Sequence, residues 1–146
     1  SGVWRVELEF TIDATGTNPG HGVAMGWISA EKEYVLGDTG QSFGLCDGDL
    51  EGIGVGVDGR DDTLLVMEEI DGDCDTDKGV WPVTVGSGGK LVMDLRTDKV
   101  DVRYGATSGS RVVKAPKTGY FGITAATGGS SQSGHAVTSV RVTSCP

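Results

Sequence analysis

An antiparallel β-sandwich or barrel is the fold class this sequence predicts, and three observations predict it. Many short segments alternate apolar and polar residues with a period of two. Turn signals rich in glycine and aspartate recur between them at roughly the 8–12-residue spacing of all-β folds. No stretch carries the 3.6-residue period of a helix. The chain has 146 residues, which suits one domain with one core. Residues 1–146 are therefore read as a single domain. Ser1-Gly2-Val3-Trp4 opens inside a strand pattern, as expected of a module of a longer protein.

Val3–Ile12 alternates cleanly, with Trp4, Val6, Leu8, Phe10 and Ile12 on one side and Val3, Arg5, Glu7 and Glu9 on the other. Residues 13–22 hold Gly16, Asn18-Pro19-Gly20 and Gly22 and read as a loop. Val23–Ala30 reads as the next strand, followed by a charged turn, a short strand near Glu33–Leu36 and a loop-rich stretch to Gly48. Gly52–Asp58 and Thr63–Ile70 read as two strands around a Gly-Arg-Asp-Asp turn, and Asp71–Gly79 as an acidic loop. Lys90–Arg96 and Lys99–Tyr104 form an expected hairpin at Thr97-Asp98. Arg111–Lys114 is expected as a short strand. Tyr120–Ala126 runs into a glycine-rich loop, Thr127–Gly134, and Ala136–Thr143 closes the chain. The first and last strands are long and patterned, so they are expected side by side.

The net charge of −9 is confined to one region. Between Asp47 and Asp77 stand twelve acids and one base, Arg60, while the remainder of the chain is slightly positive. Phosphate polymers are repelled by such a segment, so nucleic acid is not an expected partner. A hard cation that takes carboxylate and carbonyl oxygens is the natural counterion, the alternative being a solvated acidic loop with no ion. No apolar run approaches the roughly 18 residues a membrane span needs, so direct membrane insertion is not expected. Three cysteines, Cys46, Cys74 and Cys145, leave one over if two pair. Cys46 and Cys74 flank the acidic segment, and a bridge between them would staple it. Three reduced thiols are the alternative.

Gly119-Tyr120-Phe121-Gly122-Ile123-Thr124-Ala125-Ala126-Thr127-Gly128-Gly129, with His135 downstream, resembles the closing strands of leguminous-type (L-type) lectins. The resemblance is closest to the branch acting as cargo receptors in the early secretory pathway. Trp4–Phe10, Gly20–Trp27 (GHGVAMGW) and Gly52–Asp58 resemble further family segments in the family's order. The resemblance implies a concanavalin A-like jelly-roll β-sandwich and calcium-supported, non-catalytic recognition of a glycan or glycoprotein. Its location would be the secretory lumen, the cell surface or outside the cell. It places His21, Asp62, Gly128, Gly129 and Ser130 around a sugar. It places Asp58, the carbonyl of Arg60, Asp62 and one of Asp71 or Asp73 around a Ca²⁺ ion.

Two departures stand out. The family's sugar-binding aspartate is His21 here, a residue expected to be exposed between Gly20 and Gly22. The family's metal- and sugar-binding asparagine falls on Asp62, and a carboxylate cannot donate the amide N–H to a sugar hydroxyl. Asp71-x-Asp73-x-Asp75-x-Asp77 lacks the glycine and closing glutamate of an EF-hand. His135 is expected to cap the last strand without chemistry.

Two other functions fit parts of the chain. Glu69-Ile70-Asp71 is similar to the core of laminarinase-like glycoside hydrolases, but the closing glutamate is absent and the chain has only nine aromatics to line a cleft. A protein-interaction or self-assembly module on the same sandwich is the other rival. The order Trp4–Phe10, Val23–Trp27, Gly37–Gly44 is loosely similar to SPRY domains, which bind peptides without metal.

Overall fold

Residues 2–13, 20–31, 42–46, 51–127 and 133–145 are described by a computed structural model. The described residues form β1 (Val3–Asp13), β2 (Gly22–Ser29), β3 (Gly52–Asp58), β4 (Thr63–Ile70), β5 (Asp73–Pro82), β6 (Gly88–Leu95), β7 (Lys99–Tyr104), β8 (Thr107–Val112), β9 (Gly119–Ala126) and β10 (Gly134–Cys145). They make two antiparallel five-stranded sheets, a back sheet ordered β10-β1-β6-β7-β8 and a front sheet ordered β5-β4-β3-β2-β9. The architecture is a jelly-roll β-sandwich. The first and last strands pair along their length, from Val3↔Cys145 to Asp13↔Gly134, with one register shift at Glu9/Phe10.

The main core lies between the sheets. Val6, Leu8, Phe10 and Ile12 of β1 meet Val23 and Met25 of β2, Ile53, Val55 and Val57 of β3, and Leu64 and Val66 of β4. Each set comes from alternate positions of one strand, as a sheet with one inward face requires. The β5/β8 side of the sandwich is closed by Trp81. A Cβ on Gly79 or Gly109 would fall 2.5 or 2.2 Å from that indole, and the Arg111 guanidinium covers it at 4.4 Å. The β9/β10 side leaves Ile123, Val137, Val140 and Val142 exposed by 39–47 %.

The front sheet is buried on its outer face as well. There Gly26, Gly54 and Gly56 make a shallow floor that receives Phe43 and Leu45. A Cβ on Gly54 would stand 2.9 Å from Leu45 Cδ1, and one on Gly56 3.1 Å from Phe43 Cε2. Phe43, Leu45, Ala24, Ile28, Leu65, Met67 and Ala126 form a second apolar cluster. The segment is fastened by a Cys46–Cys74 disulfide, with a Cα–Cα distance of 5.6 Å. The bridge expected from the sequence is therefore formed.

Some expectations are corrected. The acidic stretch from Asp71 is a tight turn at Asp71-Gly72, both with positive φ, followed by β5. Asp73, Asp75 and Asp77 point outward on that edge strand, and Cys74, Thr76 and Lys78 alternate with them. Charged edge strands resist pairing with other chains. The strand expected at Arg111–Lys114 is β8, beginning earlier at Thr107. The strand expected near Glu33–Leu36 lies outside the described residues.

On the back sheet's outer face, burial pushes the Asp101 carboxyl up, but hydrogen bonds from Lys99, Ser110 and Arg96 outweigh it and hold the group at about 2. A carboxyl depressed below its unfolded value stabilises the fold above about pH 4 and loses that contribution as pH falls towards 2. Thermal unfolding followed from pH 7 to pH 2 is expected to show a shallower acid limb in Asp101→Asn. Phe43→Ala is expected to cost about 3–5 kcal/mol in urea unfolding, because it empties the glycine floor.

Candidate functional site at the His21 end of the front sheet

Gly22 opens β2 at φ 127°, and a Cβ there would stand 2.1 Å from the Val57 carbonyl oxygen. Only glycine allows this approach. It sets His21 over the end of β3, where Asp58 points to the outer face. His21 Nδ1 and Asp58 Oδ2 are 3.0 Å apart, with His21 5 % and Asp58 0 % exposed. The expected exposed histidine is thus buried: Phe43 packs edge-on against it at 6.5 Å.

Asp58 also organises the turn that follows. Its Oδ1 accepts the Arg60 N–H at 2.8 Å and the Asp61 N–H at 3.3 Å. The His21 carbonyl accepts the Gly59 N–H at 2.6 Å. Asp62 closes the turn at φ 52° and takes the Val85 N–H on Oδ1 at 3.2 Å. The rim of this end, Arg60, Asp61 and Asp62, is exposed.

The described ends of the β9–β10 connection, Thr127 and Ser133, reach the same place. Gly20 N–H donates to Ser133 Oγ at 3.1 Å, and a Cβ on Gly20 would meet Thr127 at 3.1 Å. His135 Nε2 lies 3.2 Å from Ser133 Oγ. Burial pulls the His135 pKa down, so its neutral ring can accept the serine hydroxyl. His135 sits within β10 opposite Ile12 rather than capping it. Gly128, Gly129 and Ser130 lie outside the described residues; Thr127 and Ser133, described on either side of them, stand beside Gly20.

The expected calcium set is not assembled. Asp71 and Asp73 sit beyond the far end of β4, roughly 25 Å from Asp58 and Asp62 at about 3.3 Å per residue. Asp58 is enclosed, and its oxygens serve His21 and two backbone amides. These residues as folded do not make a set of converging, available oxygens for Ca²⁺. A different group does converge: ligand atoms of Cys46, Glu69 and Cys74 lie within 4.8 Å of one another. Both its sulfurs are joined in the disulfide, which leaves a single carboxylate.

The carboxylate pair considered for hydrolysis is also separated. Glu69 is 2 % exposed on the outer face of the front sheet, in register with Cys74, whereas Asp71 lies past the end of β4 in the turn. Sequence reasoning missed the His21–Asp58 contact, since 37 residues separate its partners. The flanking glycines of His21 were the only local signal.

No protein-family profile and no curated protein matches the chain. Solved structures do, and they define its class as the legume-lectin fold. A basic winged bean lectin with Tn-antigen superposes with a TM-score of 0.74 at 15 % identity, covering 99 % of this chain and 71 % of that one. Arcelin-5, a lectin-like defense protein from Phaseolus vulgaris, gives 0.65 at 12 % identity over 99 % and 71 %. The carbohydrate-binding module CBM66 from Bacillus subtilis gives 0.60 at 14 % identity over 99 % and 75 %.

Asp58→Ala removes the hydrogen-bond partner of the buried His21 ring and of the Arg60 and Asp61 amides, and is expected to cost about 1–3 kcal/mol, the scale for leaving buried polar groups unpaired, measured by urea unfolding. Arg60→Ala, at an exposed position, is expected to stay within about 0.5 kcal/mol of wild type.

Proposed function

We propose that this domain recognises a glycan or glycoprotein without catalysis, at the His21 end of the front sheet. One observation carries the reading: Gly20-His21, the Gly59–Asp62 turn and the flanks of the Gly128–Ser130 loop meet at one place on a lectin fold. The rim offers the carboxylates of Asp61 and Asp62, which accept from sugar hydroxyls. The pairing of Asp58 with His21 supports recognition that does not depend on calcium. His21 stands as the support of this wall, and Asp62, Gly128, Gly129 and Ser130 as its contacts. The disulfide favours the secretory lumen or an extracellular setting, and no helix among the described residues is long and apolar enough to cross a membrane. The GYFGITAATGG run still points to the cargo-receptor branch. One module of a longer chain is the setting that fits this reading.

A second reading rests on the β9/β10 side. Ile123, Val137, Val140 and Val142, each about 40–50 % exposed, form an apolar strip of the kind that marks protein contacts. It suits an interaction or assembly module.

A glycan array run with calcium and again with chelator separates these. Binding to a defined glycan group is expected, equal in the two buffers, and lost at least tenfold in Asp62→Gly, which keeps the positive φ available. Silence across the array would move the assignment to the interaction module. A melting temperature raised by several degrees in millimolar Ca²⁺ would restore the ion to the account.

A further inference from the structure

Three of the nine aromatics gather at the opposite end of the sandwich from His21. Trp4, at the start of β1, stacks on Trp27 of β2 at 6.1 Å and 21° and meets the edge of Phe121 at 6.1 Å. Trp27 and Phe121 are 4.7 Å apart. Trp27 Nε1 donates to the Pro116 carbonyl at 2.9 Å, which locks the inner indole. Trp4 stays 40 % exposed, although an aromatic of this size normally gains from full burial.

That exposed part of Trp4 is one wall of a cleft of about 170 Å³, completed by Leu95, Arg96, Thr97, Pro116 and Lys117 among others. The volume is below the roughly 300 Å³ at which drug-sized pockets begin, so the cleft admits one ring with its neighbours outside. The charged lining residues are Arg96 and Lys117, both cations, on a chain whose net charge is −9. Arg96 gives Nη1 to Asp101 at 2.6 Å, one of its several donor positions. Lys117 is exposed and forms no ion pair with another described residue.

We propose that this cleft is a second saccharide subsite, selective for a pyranose bearing a carboxylate, such as a uronic acid. The indole face carries negative quadrupole density and attracts the polarised C–H face of a pyranose ring. Stacking on Trp27 fixes Trp4 before binding, so little side-chain entropy is lost when the sugar arrives. Lys117 and the outer nitrogens of Arg96 then stand at the rim to take the carboxylate by charge-assisted hydrogen bonds. An aromatic wall, a locked support and a cationic rim occur together here. At the His21 end the described rim is mostly acidic, so the two sites are expected to select different sugars. The subsite does not depend on the reading of the His21 end, because its residues share nothing with that site.

The test is a titration of the whole domain with hyaluronan tetrasaccharide, which carries uronates, and with neutral chitotetraose. Tryptophan fluorescence and calorimetry are both read. The uronate-bearing sugar is expected to bind at least tenfold more tightly than the neutral one and to change the fluorescence. Lys117→Glu, at an exposed position that leaves the fold intact, is expected to weaken it at least tenfold, and Trp4→Ala to abolish it. Asp62→Gly is expected to leave it unchanged, which separates failure of this subsite from failure of the His21 site. The proposal is overturned by no binding of the tetrasaccharide to wild type, by equal binding of the two sugars, or by undiminished binding in Lys117→Glu.

Discussion

The glycine floor of the front sheet, and the Phe43–Leu45 segment that fills it, is the constraint on which the rest of the structure depends. Gly26, Gly54 and Gly56 carry no Cβ where Leu45 and Phe43 lie against β2 and β3. β3 is therefore buried on both faces along its whole length. The Cys46–Cys74 bridge closes a loop spanning a sequence separation of 28 and ties this cover to β5. In the chain-entropy account such a loop stabilises by about 3–4 kcal/mol. Phe43 in turn packs against His21, so the outer cover and the candidate site are one packed unit.

This arrangement decides which parts of the front sheet stay uncovered among the described residues. The middle of the front sheet's outer face is occupied by the protein's own residues. Among the described residues, what remains uncovered is its ends: the His21 end, at the Gly59–Asp62 turn, and the Trp4 end, where aromatics gather. The same packing changes the role of Asp58. Enclosed and joined to His21 and two amides, it holds the rim in place. The exposed carboxylates of Asp61 and Asp62 are the ones proposed to meet a ligand.

Much of the fold was legible in the sequence because its signals are local. The alternation of Val3–Ile12 and the bounds of Gly52–Asp58 and Thr63–Ile70 follow from period two and turn chemistry. The pairing of the first and last strands and the Cys46–Cys74 bridge also match expectation. β5 was hidden because its outward positions are Asp73, Asp75 and Asp77, and a charged edge strand has the composition of a loop. The start of β8, Thr107-Ser108-Gly109, was hidden because its glycine exists to seat Trp81, a residue from the other sheet. The site was less legible still. His21 sits between glycines that suggest exposure, yet its burial is set by Asp58 and Phe43, which come from distant parts of the chain. Asp71 and Asp73 are near Asp62 in sequence, but a full strand carries them to the other end.

The account's central claim is that ligand meets the His21 end while the Phe43–Leu45 cover stays in place. Backbone amide NMR during titration with a neutral array-positive glycan tests it most directly. The account predicts shifts at Gly20–Gly22, Gly59–Asp62, Thr127 and Ser133, with Phe43, Leu45 and the central β3 amides unmoved. Shifts centred on Phe43, Leu45, Gly54 and Gly56, with the His21 end silent, would contradict it.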